Sequence, residues 1–66
     1  MEQYEVEDAE VIKDHGKALL IDAPEFDEPT WIPKSAITDD SEVWKANQEA
    51  GSLMLYMWFA VKRGWV

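Results

Sequence analysis

Apolar and acidic residues alternate at the start of the chain, in YEVEDAEVI (residues 4–12), but the alternation slips once. Tyr4 and Val6 share one side, with Glu5 and Glu7 on the other. After Asp8 the parity reverses, and Ala9 and Val11 become the apolar positions around Glu10. A period of two is the pattern of a half-buried strand. One extra residue at Glu7 and Asp8, a β-bulge, returns all the apolar side chains to one face. The outer face then carries Glu5, Glu7 or Asp8, and Glu10. KDHGK (13–17) predicts a hairpin turn in which Gly16 adopts a positive φ. ALLID (18–22) is a short, nearly continuous apolar strand of the central type.

APEFDEP (23–29), with two prolines and three acids, predicts a loop. TWI (30–32) predicts a third strand closed by Pro33, and KSAI a tight corner. TDDSEVWKANQEAG (38–51) admits two readings. One is a loop and then a short helix; the other is a strand around residues 42–45 and then a polar loop ending at Gly51. SLMLY (52–56) predicts a strand. MWFAVKRG (57–64) predicts a short helix stopped by Gly64. The rival, one helix over residues 43–63, has Gly51 and Ser52 in its middle. The expected fold is mainly β (α+β): a single domain, residues 1–66, with about four to five antiparallel strands in a small bent sheet or barrel and a short C-terminal helix.

Size narrows the possibilities. A 66-residue domain buries only about 60% of the surface that its unfolded chain exposes. No cysteine is present to form disulfides or thiolate metal sites. Four tryptophans, two tyrosines and two phenylalanines are the expected substitute, since each aromatic buries roughly 150–250 Å². Trp31 and Trp58 are expected inside, with Trp44 and Trp65 partly exposed. The longest apolar run, LMLYMWFAV, has nine residues and is too short to span a bilayer. The acidic N-terminus lacks the pattern of a signal peptide. A cytoplasmic protein without membrane contact is expected, as a monomer or weak homo-oligomer.

The charge is one-sided. The net charge is −8, and residues 1–33 carry all of it, with ten acids against Lys13 and Lys17; residues 34–66 balance four acids with four bases. An acidic half repels a phosphate backbone, so direct nucleic-acid binding is not expected. It suits a basic partner instead.

WIPKSAI, then DDSEVW, then Gly51, Ser52 and Leu53 and a terminal WFAVKRG, resemble a family of small bacterial and phage-encoded proteins. These share a W-[IL]-P-K-S-x-I core, a D-S-E turn, a G-x-L and a closing W-x-A-x-x-x-G. The matching residues are Trp31, Ile32, Pro33, Lys34, Ser35, Ile37, Asp40, Ser41, Glu42, Gly51, Leu53, Trp58, Ala60 and Gly64. The resemblance implies a compact β-barrel-like fold closed by a short C-terminal helix, and a mobile-element origin of the anti-CRISPR type. The loop DAPEFDEP departs from it, since shorter hairpins are usual there.

Catalytic, metal and cofactor sites are not expected. Lys34 and Ser35 adjoin in sequence, and sequence neighbours on an extended segment point in different directions. No second base lies near except His15, in a turn. Asp39, Asp40 and Glu42 lack the spacing and glycine of a calcium loop. Ser35 is expected to satisfy backbone groups at the corner, Lys34 to be a solvated charge, and Asp39 or Asp40 to cap the turn. The acidic stripe, Glu5, Glu7, Asp8 and Glu10 and then Asp22, Glu25, Asp27 and Glu28, has two readings. It keeps an aromatic-rich miniature protein soluble, or it imitates a nucleic-acid backbone and occupies a basic groove on a host nucleic-acid-binding complex. Outward acids on a strand recur every ~6.6–7 Å, near the spacing of phosphates along one strand. The expected partner-binding residues are Glu5, Glu7, Asp8, Glu10, Glu25, Phe26, Asp27 and Glu28, with Phe26 as the apolar anchor. The expected function is that of a small acidic inhibitor. The alternative is an accessory binding module of a larger assembly that uses exposed tryptophans and a basic patch.

Overall fold

The computed structural model describes residues 2–46 and 48–66. Four strands and one helix follow in order: β1 (Gln3–Asp14), β2 (Ala18–Asp22), β3 (Thr30–Pro33), β4 (Gly51–Tyr56) and α1 (Met57–Arg63), with a single 3-10 turn (Lys34–Ala36) after β3. All neighbours pair antiparallel, in the order β3-β2-β1-β4. The molecule is therefore a bent open sheet with a C-terminal helix rather than a closed barrel.

β1 is the spine. Its first part pairs with β4, from Gln3 opposite Tyr56 to Ala9 opposite Gly51; its second part pairs with β2, from Glu10 opposite Asp22 onward. The change of partner falls at the predicted bulge. The β4 register shifts between Val6 and Ala9, and Asp8 is the one described non-glycine residue with a positive φ, 54°. The bulge returns Val6, Ala9 and Val11 to the buried side. A second irregularity, not anticipated, lies between Val11 and Lys13 and leaves Ile12 outside, 44% exposed.

The β1–β2 turn forms as its sequence dictates. Asp14 Oδ1 accepts the Gly16 N–H at 2.8 Å, and Gly16 sits at φ 81°. At the other end, Gly64 stops α1 at φ 79°, and the Trp65 N–H reaches back to the Ala60 carbonyl. This left-handed termination folds the residue after the glycine onto the last turns. It brings Trp65 within 5.8 Å of the Phe59 ring.

Residues 38–50 contain neither the short helix nor the strand that their sequence allowed; residue 47 of that segment lies outside the described residues. Residues 37–42 instead run as an irregular cover along the free edge of β4. Ile37 bridges Leu55, and the N–H groups of Thr38 and Glu42 donate to the carbonyls of Met54 and Ser52. Side chains complete the cover. The Met54 N–H donates to Ser41 Oγ and the Ser52 N–H to Glu42 Oε1. An uncovered strand edge would be a template for aggregation. The opposite edge, β3, is only four residues long. The Lys34 N–H turns toward Lys17 O, so by the ladder's alternation Trp31 and Pro33 direct their backbone groups outward, and Pro33 has no N–H to offer.

The core corrects the aromatic expectation. Its largest fully buried side chains are aliphatic: Leu19, Ile21, Ile32, Leu53, Leu55, Val6 and Val43. Trp31 and Trp58, expected inside, are 44% and 52% exposed, and Trp44 is 55% exposed. The reason is positional. Each of these tryptophans adjoins an apolar residue that takes the inward place: Ile32 beside Trp31, Val43 beside Trp44, Phe59 beside Trp58. Trp65 alone among the four is packed against the core cluster.

Two stability changes follow. Asp8→Val forces a β-branched side chain into the left-handed region and should cost about 1–2 kcal/mol, seen as a lower urea midpoint at unchanged slope. Ser41→Ala strips a partner from the Met54 N–H and should cost about 1–3 kcal/mol; an unchanged midpoint would show that water replaces the hydroxyl.

Candidate functional site

The residues expected to carry chemistry around the proline corner are engaged in holding the fold. Lys34 Nζ lies 3.0 Å from Asp14 Oδ1, so it is paired rather than freely solvated. The Asp14 carboxyl is held below its usual range, first by the Gly16 N–H and then by Lys34. Ser35 is exposed and the 3-10 turn at the corner has no side-chain cap; Ser41 instead satisfies backbone groups further on, its hydroxyl donating to the Val43 carbonyl at 2.7 Å. Thr38, not Asp39 or Asp40, caps the acidic turn: its Oγ1 accepts the Asp40 N–H and donates to Gln3 Oε1. A groove lined by Lys34, Ile37, Thr38, Asp39, Ser41 and Trp44 runs through this region. Its two buried hydroxyls are thus committed to structural hydrogen bonds. No cluster of His, Cys, Asp or Glu suited to a metal occurs among the described residues. His15 is exposed, as expected, with its ring edge-on to Trp31 at 4.9 Å.

The acidic residues are distributed over two connected surfaces. Asp8, Glu10 and Asp22 line one depression, together with Pro24 and Phe26. Glu25, Asp27 and Glu28 line the next, with Phe26 and Trp65. Glu5 stands apart on the β1–β4 part of the sheet, where its carboxylate accepts the Ser52 hydroxyl at 2.7 Å. Glu7 is exposed at the bulge. The structure thus brings Asp8 and Glu10 together with the loop acids through Phe26, while Glu5 and Glu7 lie further along β1.

Asp22 belongs to the acidic stripe but not to the expected partner-binding residues, and the structure sets it in the same depression as Asp8 and Glu10. It stands directly opposite Glu10 in the β1–β2 register. Like charges in opposed positions on one face repel. Only the pairing register reveals this juxtaposition. Among the described residues the single ion pair is Lys34–Asp14, so neither Glu10 nor Asp22 is neutralised by a protein cation.

Phe26, expected as an apolar anchor, is not a free side chain. It is half-buried and stacks on Trp65, with centroids 5.2 Å apart and planes 29° from parallel, and its N–H donates to Ala23 O. Its role is to fasten the acidic loop to the core. Trp65 is the fastening point, since Tyr4, at 5.7 Å, and the Arg63 guanidinium, at 5.7 Å, also lie against it. A second tie crosses from β1: Tyr4 Oη donates to Glu25 at 2.7 Å. That hydrogen bond, then burial and the negative charge of the same carboxylate, push the Tyr4 hydroxyl above its usual pKa.

Comparison of the chain with family models, with curated proteins and with solved structures finds no match. No described helix is long and apolar enough to cross a membrane.

The Tyr4–Glu25 tie carries a pH prediction. A group whose pKa is raised by folding contributes stability below its unfolded value and loses it as pH rises through the folded one. The loop should therefore loosen above pH about 10. Hydrogen exchange at the Phe26 amide is the measurement. Tyr4→Phe should speed that exchange and remove its extra rise at alkaline pH; unchanged protection would mean that Trp65 holds the loop alone.

Proposed function

We propose that this protein works by binding rather than by catalysis. It is a small acidic inhibitor that lays its β1 and loop carboxylates on the basic surface of a nucleic-acid-binding complex, in the manner of an anti-CRISPR protein. The observation that carries this reading is the unneutralised pair Glu10 and Asp22, opposed across two strands. Such a pair costs folding stability. Its presence is accounted for when a partner's cations complete it. The fastening of the loop by Phe26, Trp65 and Tyr4 supports the same reading, because carboxylates on a held loop need less ordering when they bind. The two buried hydroxyls of the groove, Ser41 and Thr38, are committed to structural hydrogen bonds.

A second reading, the accessory module, draws on Trp44. It is the most exposed of the tryptophans, and the Lys45 ammonium lies 4.9 Å from its ring centroid. Exposed tryptophans are common interface anchors.

The test of the first reading is affinity capture from a bacterial lysate at low and high salt, with the wild-type protein beside the triple variant Glu25→Lys, Asp27→Lys, Glu28→Lys. The expected result is a set of nucleic-acid-binding proteins retained at low salt, released at high salt, and lost in the triple variant. Retention of the same proteins by the triple variant would move the interface off the loop. Loss of capture in Trp44→Ala with the triple variant unaffected would favour the second reading.

A further inference from the structure

The register places a row of side chains on the outer face beside the opposed acids. Lys13 stands opposite Leu20, and Leu20 opposite Trp31, so one residue from each of β1, β2 and β3 lies side by side. Along β2, Leu20 is two residues from Asp22, about 6.6–7 Å away on the same face. Trp31 is exposed and Leu20 half-buried in this row. The buried residues of α1 are Phe59 and Ala60, on the core side, and the loop is fastened at Trp65. Trp31 is 44% exposed although Leu20 on one side and His15 on another contribute to its surroundings.

We infer that Leu20 and Trp31 are the apolar centre of the interface whose acidic flank is Glu10 and Asp22. The occupant is a protein surface on which an aliphatic side chain stands beside lysines or arginines. The inference rests on the proposed reading of the acidic surface and replaces Phe26 as its anchor. Charge complementarity selects the occupant. A second copy of the chain would bring another net −8 against the same face, and a nucleic acid would bring phosphates against Glu10 and Asp22. A basic protein surface satisfies both parts of the face. Lys13 ends the row on β1, the strand that also carries Glu10, and forms no ion pair with it among the described residues. A tryptophan partly supported by its neighbours loses little side-chain freedom on binding, which is the property of an interface hot spot.

The experiment uses two synthetic peptides of equal length and charge: one of alternating leucine and arginine, and one with serine in place of every leucine. Each is titrated into the full-length ¹⁵N-labelled protein at low ionic strength, and amide and indole resonances are followed. The leucine–arginine peptide should move the Trp31 indole together with the Glu10 and Asp22 amides, and should bind about tenfold more tightly than the serine–arginine peptide. Trp31→Ser should abolish that preference while leaving the weaker binding of the serine–arginine peptide unchanged. Leu20→Lys serves as a second variant, with the dispersion of the spectrum reporting that each is folded. Equal affinity for both peptides, or movement of Trp44 or Trp58 with Trp31 still, would overturn the inference while the electrostatic reading stood. Failure of both peptides to bind would sink the electrostatic reading with it. Concentration-dependent shifts of Trp31 without any peptide would give the row to a second copy and also overturn the inference.

Discussion

The structure depends on one bend. β1 is twelve residues long and serves two partners in succession, β4 and then β2. A flat strand could not put Val6 against Leu53 and Val11 against Ile21 on one enclosed side of so short a chain. The extra residue at the bulge changes the direction of the strand and keeps the parity of its side chains. The cost is concentrated in Asp8, which adopts a left-handed conformation that disfavours most L-residues and that aspartate tolerates better than most. Everything else is arranged around the fold in β1: β2 and β3 extend one side, β4 the other, and α1 with Trp65 closes the end between them.

A small open sheet has two vulnerable edges, and the chain treats them differently. It crosses from β3 through the 3-10 turn to the free edge of β4, and covers that edge with residues 37–43. Backbone groups do part of the work, and Ser41 and Glu42 the rest. This explains why a segment with a threonine, a serine and three acids looks chemical in the sequence and is structural in the fold. Hydrogen-bonding side chains are the tools that an irregular segment has for satisfying a strand edge. The β3 edge is protected by brevity and by Pro33.

With the interior filled by aliphatic side chains, the tryptophans are pushed to the surface. Three of them together would be an aggregation hazard in a neutral protein. Here they are accompanied by a large negative charge, which keeps copies apart. On the outer face Leu20 and Trp31 lie beside the opposed Glu10 and Asp22.

The sequence by itself determined the local elements. The parity slip at Asp8, the glycine turn, the strand limits at 18–22 and the helix stop at Gly64 are all short-range matters of side-chain period and backbone sterics. Charge asymmetry was also legible, because it needs only counting. Three things waited for the tertiary structure. The inward member of each apolar doublet, Ile32 over Trp31 or Phe59 over Trp58, depends on which side of an element meets the core. Phe26 became a fastener because Trp65, distant in sequence, returns to stack on it. The opposition of Glu10 and Asp22, and of Leu20 and Trp31, exists only in the pairing register. A hairpin turn sets register locally, but the second irregularity between Val11 and Lys13 shifts the pairing beyond it, and no signal in the sequence announced that shift.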